Sequence, residues 1–173
     1  GDLVLRVPVG GGAPTTVRDR AIFTSVAAAG GDVFFTEARG SGGVLTRVTG
    51  TTAAQLATFE GAPRGLAVDT DDVYIATSSG LEGAPRARGA VSELAGGRAF
   101  ASPQVDGAWV YATAIDPKSR ARTLVRVKKT GGPLETVATG VRDAPIAIHR
   151  GSVYWFDATH PALLASSPVD DRP

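Results

Sequence analysis

The sequence predicts an all-β fold, a β-propeller made of about four four-stranded blades, and three observations lead there. A β-branched and aromatic run recurs four times along the 173 residues. Short runs of small apolar residues precede each copy, and turns containing Gly or Asp separate them. No segment shows the 3.6-residue hydrophobic period of an amphipathic helix. Self-similarity at a period of roughly 40 residues marks a stacked repeat, and four short strands per period suit a propeller blade.

The aromatic run appears as Gly31-Asp32-Val33-Phe34-Phe35-Thr36-Glu37 and as Asp71-Asp72-Val73-Tyr74-Ile75-Ala76-Thr77. It returns as Gly107-Ala108-Trp109-Val110-Tyr111-Ala112-Thr113 and Gly151-Ser152-Val153-Tyr154-Trp155-Phe156-Asp157. With Val33, Val73, Trp109 and Val153 taken as equivalent, the steps are 40, 36 and 44 residues. The element before it is small and apolar: Thr24–Ala27, Gly65–Val68, Ala101–Val105 and Pro145–Ile148. Small side chains suit an inner strand, where blades crowd toward the axis. The element after it carries an arginine in Leu3–Val7, Val44–Val48 and Leu124–Val127, and is weaker at Leu163–Ser166. Its copy in the second repeat is expected near residues 84–88, where Ala-Pro-Arg-Ala-Arg reads as a degraded strand. A fourth element closes each unit at Thr15–Val17, Gln55–Ala57, Val91–Leu94 and Leu134–Val137. Glycines such as Gly10–Gly12 and Gly131–Gly132 serve the turns joining the last two strands, because glycine takes positive φ without steric cost. An up-and-down barrel is also antiparallel, but it has no reason to show a four-strand period.

Val153-Tyr154-Trp155-Phe156-Asp157 resembles the Tyr-Trp-Thr-Asp signature of YWTD-type β-propellers, with Phe156 in the Thr position. Phe34-Phe35-Thr36-Glu37 is a softer version, and the run from Leu5-Arg6-Val7 to Gly10-Gly11 is similar to the strand that follows the signature. Arg126 through Gly132 repeats that run loosely, whereas Tyr74–Thr77 and Val110–Thr113 depart from the signature. TolB-like and NHL-like bacterial propellers share the same grammar. The resemblance implies the fold, and it leaves the role open, because one fold hosts many functions.

The repeats fall at about 1–20 (partial), 21–60, 61–97, 98–140 and 141–173 (partial), within a single domain. The first residues read as a third and fourth strand without the two before them. Two arrangements accommodate this. The N-terminal pair completes the final blade of a closed four-bladed ring, or the chain is a contiguous piece of a larger ring. Rings of the YWTD type are commonly six-bladed, which needs roughly 240 residues at this period. Methionine is absent and the chain opens on Gly1-Asp2-Leu3, which favours the larger ring or a processed chain.

Composition narrows the function classes. Eighteen basic against 17 acidic residues give a net charge of +1, and so no electrostatic reason to expect nucleic acid or an anionic membrane as partner. No stretch approaches the roughly 20 apolar residues of a membrane helix. With no cysteine, disulfides and thiolate chemistry are excluded. One basic run stands out at residues 118–129, where Arg122, Arg126 and Lys128 share strand parity with Leu124. It reads as a solvated outer strand or as a basic docking patch.

Catalytic residues are few. His149 and His160 are the two histidines, and their spacing with Asp157 matches no ligand motif. No Gly-x-Ser-x-Gly elbow is present, and Asp69-Thr70-Asp71-Asp72 reads as turn chemistry before it reads as a calcium site. The aromatic side chains are expected between blades. The loop entering each inner strand carries an arginine: Arg20, Arg64, Arg98 and Arg142. Gathered at one mouth of a propeller channel, these guanidiniums would attract a carboxylate, a phosphate or an acidic peptide.

The expected function is a non-enzymatic binding or scaffold module for a protein, peptide or glycan, without a cofactor or metal. The expected location is extracellular, periplasmic or at the cell surface. Two alternatives are a propeller hydrolase or lyase of the lactonase type, and a structural subunit that assembles through exposed blade edges.

Overall fold

The computed structural model describes residues 2–160 and 164–168, with the side chains of Arg20, Ala21 and Leu164 left outside that description. All regular structure in it is β. Strands β1 (Asp2–Arg6) and β2 (Thr15–Ala21) form a two-stranded sheet. Three four-stranded meanders follow. The first is β3 (Phe23–Ala29), β4 (Asp32–Arg39), β5 (Gly42–Thr49) and β6 (Thr52–Glu60). The second is β7 (Pro63–Val68), β8 (Asp72–Thr77), β9 (Gly80–Pro85) and β10 (Ser92–Gly96). The third is β11 (Ala99–Asp106), β12 (Trp109–Ile115), β13 (Arg122–Lys128) and β14 (Glu135–Thr139). The last sheet has three strands, β15 (Ala147–His149), β16 (Ser152–Phe156) and β17 (Leu164–Pro168). Every pairing is antiparallel.

The sheets stack face to face with their first strands side by side, β3 next to β7 and β7 next to β11. Alternation along the second strand of each sheet builds the contacts. Phe34 and Leu45 of the first meander pack on Val73, Ile75 and Ala84 of the second. Tyr74, Ala76 and Leu81 of the second pack on Val110, Ala112 and Val125 of the third. Trp109, Tyr111 and Leu124 of the third pack on Val153 and Trp155 of the last sheet. Burying each of the Val, Leu, Ile and Phe side chains among these is worth about 1.5–3 kcal/mol. The aromatic run is therefore the core, one parity serving the sheet before and the other the sheet after.

These partners shift the repeat register by one residue in the third copy. Val110, on the same face as Val73 and Val153, is the structural equivalent of those valines, and Tyr111 is that of Tyr74. Trp109 occupies the position of Asp72, where the Arg126 guanidinium stacks 4.2 Å from its ring centroid. A bulky aromatic at the head of the strand masked the offset in the sequence.

The third strand of the second meander also lies elsewhere than expected. It is β9, ending at Pro85, and it follows the tight turn at Ser78-Ser79. Residues after Pro85 form the connection to β10, and Arg86 there holds two sheets together. Its guanidinium donates to the carbonyls of Asp69 and Thr70 and to Ala29 O at 3.0 Å, pairs with Asp32 at 3.4 Å and lies over the Phe34 ring. Lys129, in the same connection of the next sheet, reaches back to Asp69 at 2.5 Å. Asp69 also accepts the Asp71 and Asp72 amides and the Tyr74 hydroxyl. Burial opposes ionisation of Asp69, but Lys129 and these donors outweigh it and hold the carboxyl at about 2. The acidic run is a turn that anchors the neighbouring sheet.

Close approach of inner strands depends on one glycine. A Cβ at Gly65 would lie 2.4 Å from Pro103 Cδ and 3.1 Å from the Ser102 amide nitrogen. Ser102 takes a left-handed φ of 51° at the irregularity between Ala101 and Gln104, which brings that backbone toward β7.

At the N-terminal end, β1 and β2 do not complete the last sheet. β17 holds the open edge of β16, with Tyr154 opposite Ser166 and Trp155 opposite Ala165. Instead β2 lies against the far face of the first meander, where Arg18 reaches the buried Glu37 at 3.8 Å. Closure of a four-bladed ring would leave residues 162–173 as a surplus tail, and most of these lie outside the described residues.

Candidate functional site: an arginine-lined rim

In an antiparallel meander the hairpin between second and third strands and the crossing to the next sheet share one end. Here that end carries the arginines. Arg64 opens β7, Arg98 sits in the β10–β11 connection and Arg120 lies in the β12–β13 hairpin. All three line one groove of about 630 Å³, together with the hairpin serines Ser78 and Ser79. Arg120 continues into a neighbouring groove of about 530 Å³, which it shares with Arg122 and Arg142.

Local geometry explains why Arg120 stands there. Asp116 closes the hairpin, its Oδ1 accepting the amides of Lys118 at 3.0 Å and Ser119 at 2.6 Å and the Ser119 hydroxyl at 2.8 Å. The Arg120 amide donates to Asp116 O at 3.0 Å, and Arg120 adopts φ of 62°, a left-handed conformation uncommon for a branched-free long side chain. The Ser119 donors, then the Lys118 amide, hold the Asp116 carboxyl below its usual range, with Arg98 adding attraction. So the carboxylate that shapes the loop also lies close enough to attract Arg98.

The arginines differ in their commitments. Arg122 is tied to Asp143 at 2.6 Å. Arg64, Arg98 and Arg120 are exposed, and among the described residues none has a carboxylate within ion-pair distance. Arg142 is exposed as well, and its amide donates to Phe156 O. The side chain of Arg20 lies outside the described residues. The structure thus brings Arg64 and Arg98 into one groove and sets Arg142 in the next, with Arg120 common to both. Arg120 belongs to the basic run, so its signal was present in the sequence as charge density and not as a repeat position.

Part of the rest of that run is structural. Arg122, Leu124, Arg126 and Lys128 share a face turned toward the last sheet; Leu124 is fully buried there, whereas Lys128 at the strand's end is exposed, 5.8 Å from the Trp109 ring centroid. Arg126 stacks on Trp109 and pairs with Glu135 at 2.8 Å. Lys129 is committed to Asp69.

His149 is exposed at the end of β15. His160 is exposed too, in the turn capped by Asp157, whose Oδ1 accepts the Thr159 and His160 amides. Among the described residues no group of three or more His, Cys, Asp or Glu is placed to hold a metal ion. Sequence reading passed over one acidic feature. Glu82 faces Glu93 across the β9–β10 pairing, and its Oε2 is buried without a hydrogen-bond partner. Burial first, then repulsion from Glu93 and Glu60, raises the Glu82 carboxyl to about 7.

The radial stack of antiparallel meanders is a β-propeller architecture, and comparison with solved structures agrees. The computationally designed Ika4 protein superposes with a TM-score of 0.63 at 13% identity, over 88% of this chain and 94% of that one. A chain of the nidogen/laminin complex gives 0.68 at 12% identity, over 88% and 68%. TolB from Acinetobacter baumannii gives 0.64 at 10% identity, over 97% of this chain and 49% of that one, so the chain spans about half of TolB's length. At such identities the likeness is one of fold. No protein-family model matches the chain, and no curated protein matches it. No helix among the described residues is long and apolar enough to cross a membrane.

Proposed function

We propose that the chain is a non-enzymatic binding module that recognises an acidic segment of a protein or peptide along the arginine rim, outside the cytoplasm. One observation carries the reading. Successive sheets contribute Arg64 and Arg98 to a single groove, and among the described residues neither has a carboxylate within ion-pair distance. Arg120 extends the positive surface toward Arg142, so an extended peptide with spaced carboxylates would meet a guanidinium from each sheet it crosses. Guanidiniums suit this task because each presents a planar fork of donors to a carboxylate. Ser78 and Ser79 supply hydroxyls beside the same groove. A general binding role also fits propellers seen in a protein complex, such as the nidogen/laminin structure.

The test is a titration with a Glu- and Asp-rich peptide followed by fluorescence anisotropy. Replacing Arg64→Glu and Arg98→Glu together is expected to weaken binding by tenfold or more, since about 1.4 kcal/mol is tenfold in affinity. Added salt should weaken the wild type as well. Equal affinity of the wild type and the double variant would remove the rim from the account.

A further inference from the structure

We propose that binding of an anionic ligand at the rim is coupled to a proton held by Glu82, so that affinity falls when that proton leaves. The proposal rests on reading the rim as an anion-binding groove and adds its regulation. Its ground is the structural link from Glu82 to Arg98. Glu82 of β9 stands directly opposite Glu93 of β10, and the ladder is irregular at Leu94 before it closes with Gly96 opposite Gly80. The Glu93 side chain turns along its own strand and lies on Gly96, where an added Cβ would meet its Oε2 at 2.5 Å and its Cδ at 2.7 Å. Gly97, at φ of 77°, and Arg98 come next, and both line the groove that holds Arg64 and Arg120. The carboxylate facing Glu82 is thus packed on the segment that carries Arg98 to the rim.

As an anion, Glu82 is poorly accommodated. Its Oε2 is buried without a hydrogen-bond partner. The charged groups that face it are Glu93 from β10 and Glu60 from the end of β6. Among the described residues no cation lies within ion-pair distance of any of the three. Glu60 also adjoins the rim, since its carbonyl accepts the Ser79 hydroxyl at 3.4 Å. Burial first, then Glu93 and Glu60, holds the Glu82 carboxyl up at about 7. While the proton is present, the facing pair carries one charge and Glu93 keeps its place on Gly96. Once it leaves, two carboxylates oppose each other across one strand pair. Glu93 is exposed and has room to swing away, which uncovers Gly96 and loosens the approach to Arg98. The extra negative charge also repels an anionic ligand. Both effects lower affinity as the pH rises through about 7, and a bound anion in turn strengthens Glu82's hold on its proton.

The test has one arm without ligand and one with it. In amide NMR of the chain alone from pH 6 to pH 8.5, Gly96, Gly97 and Arg98 are expected to shift together with a midpoint near 7. Glu82→Gln should abolish that transition. Glu93→Gln should move it to lower pH, and this variant decides the arm if Glu82→Gln loses its β-sheet circular dichroism. In anisotropy titrations with the Glu- and Asp-rich peptide, the wild type should bind about fivefold more weakly at the upper pH than at the lower, the small end of ordinary coupling. Glu82→Gln should lose that fall, and the difference between the two proteins is the readout because both carry the same histidines. Amides of Gly96 to Arg98 that stay unmoved with pH, or an equal fall in affinity in both proteins, overturn the proposal. A peptide that binds at neither pH while the amides still shift overturns the rim reading, and the coupling with it, but leaves the link from Glu82 to Arg98 standing.

Discussion

Glu82 sits opposite Glu93 in the β9–β10 ladder, with Glu60 contributing further repulsion, and like charges facing each other across a strand pair are unfavourable. Its carboxyl rises from 4.5 to about 7, so the folded chain binds a proton there that the unfolded chain has released. Stability from this group is complete below pH 4.5 and is lost as the pH climbs through about 7. Glu82→Gln should abolish that slope in a series of melts from pH 4 to pH 8, leaving the two proteins similar at the acid end. At pH 8 the variant should be the more stable by about 1–2 kcal/mol, a figure already reduced for partial solvent screening. Parallel slopes in the two proteins would mean that Glu82 is ordinary. The sequence shows Glu82 and Glu93 eleven residues apart, but only the pairing register puts them face to face.

At the scale of elements, the second strand of each sheet was readable because its chemistry is repetitive: a β-branched residue followed by an aromatic. Two features hid from that reading. Trp109 looks like the start of the aromatic run, yet it stands one position earlier and serves as a platform for Arg126. The stretch around Arg86 looks like a failed strand, although its lack of apolar alternation reflects a connection that bonds to backbone carbonyls of two sheets. Hydrogen bonds to carbonyls leave no pattern in a sequence. Arg86→Ala would strip partners from the Ala29, Asp69 and Thr70 carbonyls and from Asp32. A loss of about 2–3 kcal/mol in denaturant unfolding is expected, because groups left unpaired at a half-buried site keep their desolvation cost. Arg88→Ala, an exposed change in the same connection, is the control and should be close to neutral.

Across the whole molecule, repetition made the propeller legible, while the site depended on which loops share an end. The sequence gathered Arg20, Arg64, Arg98 and Arg142 at one channel mouth, whereas Arg64 and Arg98 line one groove, Arg142 lines the next and the Arg20 side chain lies outside the described residues. Arg120 joined them only through a hairpin shaped by Asp116, a local device that the repeat does not encode. The two turn-bearing ends of the stack are also chemically different. One exposes Arg64, Arg98 and Arg120, and the other ties Arg86 and Lys129 to Asp32 and Asp69. That asymmetry makes the central claim directly measurable by amide NMR during titration with the acidic peptide. Shifts are expected at Arg64, Ser78, Ser79, Arg98 and Arg120, with Asp69, Arg86 and Lys129 unmoved. Shifts concentrated at Asp69, Arg86 and Lys129, or none at saturating peptide, would contradict that claim.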